Sequence, residues 1–400
     1  MSTGKTTSMR PEIRLLAGRH RRALAGHPWV YSNEIEMTAD ARALAPGALV
    51  RLKGEDGKPV GTAFFNPRSL IAARLLTFED APIDTDFIGK RLDRALALRQ
   101  RIFDAPYYRL VNGEGDGLPG LIVDRYGEIC VVQVNAAGME RLLPELLAAL
   151  DAVVAPKAVL LRNEGPQRAL EGLETATEWV KGGGGASFEV VENRVTFHAD
   201  LAGGQKTGWF FDHGRNRAKV ASFANGARVL DVFCYLGGFA IQALVGGAAE
   251  AVLVDRSQPA LDLAEASAAA NGVAQKCRFD RANGFGAMER LAKSGERFDI
   301  VIADPPSFVK SKKEVQRGIR GYRKMVRLAA PLVAPGGLLF AASCSYHVEA
   351  AMFGEQIRRG LAAGGRGGRI LYAGGAGPDH PIHPFLPETA YLKFQLLQLD

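Results

Sequence analysis

Cysteine is scarce in this chain of 400 residues. The four present, Cys130, Cys234, Cys277 and Cys344, never form a CxxC pair. That scatter argues against a disulfide framework and a structural zinc site, so no metal is expected. Long apolar runs are also lacking. The best candidate, residues 141–161, is interrupted by Pro144, Glu145, Asp151, Pro156 and Lys157, too often for a membrane span. The N-terminus has no apolar core of the signal-peptide kind. A cytoplasmic protein without membrane contact is the expectation. Residues 1–10 read as disordered. Gly4-Lys5-Thr6 lacks the upstream glycine and preceding strand of a P-loop.

What is present is an ordinary soluble composition, 47% apolar and 23% charged, long enough for two or three domains. The net charge of +7 is unevenly placed. Residues 310–327 hold eight basic side chains and one acid, Glu314, and so carry as much net charge as the whole chain. Lys313, Arg317, Arg320, Lys324 and Arg327 recur at helical spacing. Val315, Ile319, Tyr322, Val326 and Ala329 recur two residues later, on the opposite face. One face can pack while the other meets a polyanion. A solvated helix face is the plainer alternative. The run begins, with Lys310, just beyond the motif described next, and a phosphate-binding stripe is placed there.

That motif is Asp304-Pro305-Pro306-Ser307-Phe308, which follows the apolar run 298–303. An acid at the end of a buried strand, stiffened by two prolines, suits the ligand edge of an open α/β sheet. It can grip a flipped-out base, although an ordinary turn reads the same way. Strands are expected at 228–233, 250–255, 276–280, 298–303, 337–343 and 390–397, with helices between them. This is a doubly wound α/β domain over 199–400. Its first strand runs into VLDVFCYLGGF (229–239), whose glycines let a ligand approach the backbone. Their spacing is not GxGxxG, which disfavours a dinucleotide pyrophosphate and a nicotinamide oxidoreductase. Asp231, Asp255, Asn283 and Asp304 fall at one sheet edge. Asp255 ends the second strand, where acids bind ribose hydroxyls, and Asn283 lies where an adenine would. Each alone could be a cap or turn residue. Cys344, in SCSYH (343–347), leaves its strand at the same edge. A thiol there faces substrate, and the basic segment or His347 can activate it. Cys234 is the rival nucleophile, more plausibly packing.

Before this domain, 11–82 reads as a small β-rich domain with strands near 48–52, 60–65 and 71–76 and a hairpin at 55–58. It opens with Arg14, Arg19, His20, Arg21 and Arg22, followed by Trp29 and Tyr31, a mixture that suits RNA; Trp29 equally suits a core. Residues 83–198 read as an α+β unit, with a helix near 92–99, strands at 120–124 and 129–134, and a surface loop at Gly182–Gly185.

Taken together, the chain resembles the bacterial PUA-domain-containing 23S rRNA (cytosine-C5) methyltransferase family. The motifs that carry the likeness are GRHRRALAGHPWVY (18–31), YRLVNGEGDGLPGLIVD (108–124), GQKTGWFFD (204–212) and the segments at 231–239, 304–308 and 343–347. The resemblance implies a PUA domain at 11–82 and a class I, Rossmann-like methyltransferase domain at 199–400. It implies S-adenosylmethionine as cofactor, held by Asp231, Phe233, Gly237, Asp255, Asn283 and Asp304. Cys344 and Asp304 become the catalytic pair. Ribosomal RNA becomes the partner, held by Arg19, Arg21, Arg22, Phe308, Lys310, Lys313, Arg317, Arg320 and Lys324, with Phe308 or Pro305 against the base. The oligomeric state stays open, a homodimer being one candidate. Three positions depart from the family pattern: Gly214 stands where an arginine is usual, Asn283 where an aspartate is usual, and Ser307 leaves the proline motif without a cysteine. Two other readings remain: the same fold acting on an exocyclic amine or ring nitrogen, and a non-catalytic RNA-binding factor.

Overall fold

A computed structural model describes residues 10–185, 187–205 and 207–400. The reading of residues 1–10 as disordered falls, apart from Arg10, outside them. So does residue 206 of the GQKTGWFFD motif. The chain forms two compact units, one of residues up to Gly184 with Asp379–Pro387, the other of Gly185–Pro378 with Glu388–Asp400.

The first unit holds two sheets with separate cores. Residues Glu12–Arg14, Trp29–Val30, Ala48–Lys53, Pro59–Phe65 and Ala73–Thr77 form a five-stranded sheet. Its core is Val50, Leu52, Val60, Ala63 and Phe65. The turn expected at 55–58 closes the central hairpin, with Gly57 at φ +76°. The second sheet has five strands, from Tyr107–Asn112 to Ala176–Lys181, and buries one face under helices Thr85–Gln100 and Leu143–Val153. The apolar run at 141–161 is thus a helix and the start of a strand. No helix among the described residues is long and apolar enough to cross a membrane. The boundary expected at 198 lies instead at Gly184/Gly185, within the exposed glycine run. The hairpin of Phe188–Glu192 and Val195–Ala199 belongs to the second unit, where His198 N donates to Ser267 Oγ and Asn271 bonds Thr196.

The second unit is built on seven strands: β1 Arg228–Val232, β2 Glu250–Asp255, β3 Cys277–Arg281, β4 Phe298–Ala303, β5 Val333–Ser343, β6 Gly368–Gly374 and β7 Lys393–Leu399. Their spatial order is β3-β2-β1-β4-β5-β7-β6. β1 to β5 are parallel, while β7 runs antiparallel between β5 and β6. The central strands are near-continuous apolar runs because helices cover both faces. Those helices include α1 Gly214–Ala221, α2 Gly238–Val245, α3 Gln258–Ala270, α4 Gly284–Lys293, α5 Val315–Ala329 and α6 Ala350–Ala363. The order reverses beside β1, so the carboxyl ends of β1, β2 and β4 border a switch point where ligands bind. Residues 368–374, not expected as a strand, add an exposed edge.

Candidate active site at the carboxyl edge of the sheet

The loop between β1 and α2 is bent by three left-handed residues, Phe233 (φ +66°), Tyr235 (+50°) and Gly237 (+71°). Two of these are not glycine, and such strain persists only where surroundings hold it. Here two carboxylates do so. Asp231 Oδ2 accepts from Ala240 N at 3.1 Å, while Asp255 accepts from Tyr235 N at 3.0 Å and Ser257 N at 2.9 Å. At Gly237 a Cβ would lie 2.7 Å from Leu253 Cδ2, so only glycine fits both the angle and the space. Asp231 is 1% exposed, and its carboxyl is pushed up to about 8, first by burial and then by the nearby carboxylates of Asp304 and Asp255. This loop therefore borders a cluster of mutually repelling acids. A ligand with a sulfonium charge and ribose hydroxyls fits that donor set, since each Asp255 oxygen keeps a lone pair. Asn283 caps α4, its Oδ1 accepting from Phe285 N at 3.1 Å. The capping role weighed from the sequence is the one this oxygen performs.

Asp304 follows β4 and Cys344 follows β5, two paired parallel strands in which Ala303 faces Ala341. Both therefore leave adjacent strands at the same edge of the sheet. Both are half-buried, whereas Pro305 is buried and Pro306 exposed. Asp304 Oδ2 lies 3.2 Å from Nε2 of His213, a buried residue that the sequence reading did not single out. His213 Nδ1 is 3.0 Å from Asn216 Nδ2, which also donates to Gly375 O. Phe308 stacks on Phe285 at 5.9 Å and touches Tyr322 at 4.8 Å, while Phe233 meets Phe285 edge-on.

Ser345 ties the loop after β4 to the loop after β5. Its hydroxyl meets Ser307 Oγ at 2.8 Å and Tyr322 Oη at 2.6 Å, and it accepts from Val309 N at 3.2 Å. Ser307, where a second cysteine was considered, is a strut of this hub. Beneath it, Lys393 Nζ donates to Ser345 O and Val348 O, both at 2.5 Å. The other thiols are poor nucleophiles. Burial pushes Cys130 up to about 12 and Cys277 to about 11. Cys234 is raised well above its ordinary value by burial, with Asp231 and Asp255 adding to it. Cys234 is also buried, 7% exposed.

Lys310 and Lys312 are exposed before α5, and on the outer side of α5 so are Arg317, Arg320, Lys324 and Arg327; Lys313 is exposed as well. Ile319, Tyr322, Val326 and Ala329 are buried and Val315 packs against the core, as the spacing predicts. In the first unit Arg19 and Arg21 are exposed. Arg22 is half-buried. Its guanidinium pairs with Glu34 at 2.6 Å, donates to Trp29 O and lies over Tyr31. Trp29 Nε1 donates to Glu114 at 2.7 Å. No group of three or more His, Cys, Asp or Glu among the described residues could hold a metal ion.

Comparison with known proteins shows the family. Residues 141–361 match the family described as S-adenosylmethionine-dependent methyltransferase, and residues 13–78 match a PUA-like domain. A protein of Photobacterium profundum named ribosomal RNA large subunit methyltransferase I is 35% identical, over 96% of this chain and 98% of its own. A protein of the same name from Klebsiella pneumoniae is 34% identical over 97% and 98%. The chain belongs to this family of S-adenosylmethionine-dependent methyltransferases. A crystal structure of SMU.776, described as a methyltransferase complexed with SAH, shares the fold at TM-score 0.82 and 20% identity, covering 98% of this chain and 100% of that one. Membership makes S-adenosylmethionine the cofactor. It also gives the Gly214 departure a local setting. A Cβ at Gly214 would lie 2.9 Å from Glu192 Oε2, an oxygen already held by Arg217 at 2.8 Å and Trp209 at 3.0 Å.

Proposed function

We propose that this chain methylates C5 of a cytosine in large-subunit ribosomal RNA, working in the cytoplasm through a covalent bond between Cys344 and C6. The carrying observation is that Asp304 and Cys344 follow the adjacent parallel strands β4 and β5, beside the acidic loop that fits the cofactor. The exposed basic face of α5, with Arg19 and Arg21 on the PUA-like domain, supplies phosphate contacts. A cytosine flipped from its stack presents its amino edge to Asp304 Oδ1, with Phe308 available to its ring face. When bound, S-adenosylmethionine supplies a methyl group on a positively charged sulfur.

Cytosine C5 is too weak a nucleophile by itself. Attack of the Cys344 thiolate on C6 forms a C–S bond and moves the C5=C6 π pair onto C5, which then takes the methyl group. Loss of the C5 proton restores the double bond and expels the thiolate. The same names support rRNA as substrate, since the relatives are called large-subunit rRNA methyltransferases.

The test is a map of 5-methylcytosine across ribosomal RNA from cells with and without this protein. One site is expected to vanish in its absence, and an unchanged map overturns the assignment. Cys344→Ala is expected to abolish transfer to an RNA transcript. Undiminished transfer by that variant would point to an amine or ring nitrogen instead.

A further inference from the structure

Lys393 is the only buried lysine among the described residues, and the reaction described above gives it no part. It opens β7, in antiparallel register with Ser343, the last residue of β5. Paired residues of antiparallel strands project to the same face, so its side chain runs along the end of β5. Its Nζ then donates to the carbonyls of Ser345 and Val348, each at 2.5 Å. Cys344 lies between the residue that Lys393 pairs with and the residue whose carbonyl it binds. The ammonium is therefore fixed at the peptide segment that carries the nucleophile.

Among the described residues Lys393 forms no ion pair with a carboxylate, although it is 6% exposed. A buried cation is costly unless a negative charge lies near it. We propose that Lys393 is the positioning residue that activates Cys344, its ammonium both fixing the loop and stabilising the thiolate. Burial pushes the Lys393 amine down to about 8, and Cys344 acts in the opposite direction, as an anion beside a cation does. The other titratable groups on the surrounding elements include Tyr322 of α5, raised by burial, Asp304 and Lys310 after β4, and Tyr346, His347 and Glu349 beyond Cys344. Lys393 is the buried ammonium among them, and it reaches the loop from β7.

The inference rests on Cys344 as nucleophile, but its test reads the thiol and not methyl transfer. The full chain is treated with iodoacetamide near neutral pH, and alkylation of Cys344 is followed by peptide mass spectrometry. A rise of one unit in the thiol's ionisation cuts the thiolate about tenfold, and the greater nucleophilicity of the more basic thiolate returns about threefold of that. Lys393→Met is therefore expected to slow alkylation about three- to tenfold, and Lys393→Arg to keep it near the wild-type rate. A lysine that only tied down the loop would give the reverse, because loosening exposes the thiol. A Lys393→Met rate equal to or above wild type overturns the proposal. If that variant misfolds, alkylation of Cys234 and Cys277 reveals it, and the unmodified protein decides. Its Cys344 alkylation is expected to reach half-maximum below the free-cysteine value of about 8.5, and a midpoint at or above it overturns the proposal. Loss of the activation with transfer still dependent on Cys344 leaves the C5 reading standing. Transfer that survives Cys344→Ala removes that reading without touching the thiol result.

Discussion

His213 shows how far single hydrogen bonds fix the chemistry of a residue. Gly375 O can only accept, so the atom of Asn216 that meets it is the amide nitrogen. That same nitrogen faces His213 Nδ1, which must then accept, leaving the imidazole proton on Nε2 and pointing at Asp304. One oxygen of Asp304 is thereby held, and the proposed base contact falls to the other. His213→Leu removes the donor and frees the carboxylate to rotate. A misplacement of that kind costs about 10²-fold, expected as a fall in kcat/KM for transfer to RNA with little change in melting temperature. His213→Gln, which can still donate, is expected to lose less; equal losses in both variants would sink the positioning role. Asp231 makes a second prediction at this scale. Its carboxyl is raised from 3.8 to about 8, so the folded chain binds a proton that the unfolded chain releases. The stability tied to that proton is complete below about pH 4 and is lost as pH rises through about 8. Asp231→Asn keeps an oxygen for Ala240 N and has no charge to bury. By scanning fluorimetry without cofactor, its melting temperature minus that of wild type should widen up to about pH 8 and then level off. A difference independent of pH contradicts the buried-carboxyl account.

At the scale of elements, α5 was legible because two chemical requirements share one helical period. Its apolar residues had to face the sheet, and the cations were then left outside. The expected strands of the second unit mostly end where their apolar runs end, within a residue or two, because the central parallel strands are buried on both faces. β6 was missed for the converse reason: nearly all of its residues are exposed, so no periodic burial marks it. Lys393 was missed because its strand reads as apolar and its partner carbonyls lie 45 to 48 residues away. The ion pair of Arg22 with Glu34 could not be read from the sequence. If the outer face of α5 holds phosphates, Arg317→Gln, Arg320→Gln and Lys324→Gln together should weaken RNA binding and lower the salt slope of log Kd by about 2, near 0.7 for each lost contact to single-stranded RNA. Affinity for S-adenosylmethionine should not move. A salt slope unchanged from wild type would make this face merely solvated.

For the whole molecule, the most consequential feature is a segment that sequence order hides. Residues Asp379–Pro387, close to the chain's end, complete the first unit rather than the second. Asp379 is 1% exposed; its carboxylate accepts from Arg109 N at 3.0 Å, and its carbonyl accepts from Arg99 Nη2 at 2.8 Å. Pro381 O accepts from Asn112 Nδ2 at 3.0 Å. The three-domain reading missed this, because nothing in the residues between β6 and β7 marks them as partners of Arg109, 270 residues earlier. Contacts of such separation form late, since the loop-closure entropy is met before any contact rewards it. The first unit is thus finished only when nearly the whole chain exists. Arg99 is the anchor, fully buried, with both guanidinium nitrogens on Asp116 at 2.6 and 2.8 Å and its Nε on Arg109 O at 2.9 Å. Replacing it with leucine fills much of the space but strands the Asp116 carboxylate and two buried carbonyls. Breaking one side of a buried pair costs about 3–5 kcal/mol. In urea, Arg99→Leu should therefore shift the unfolding transition reported by Trp29 and Trp179, which lie in the first unit, and leave that of Trp209 in the second unit in place. A common shift of both transitions would show that the two units unfold as one, and no shift at all would mean that the returning segment adds nothing to stability.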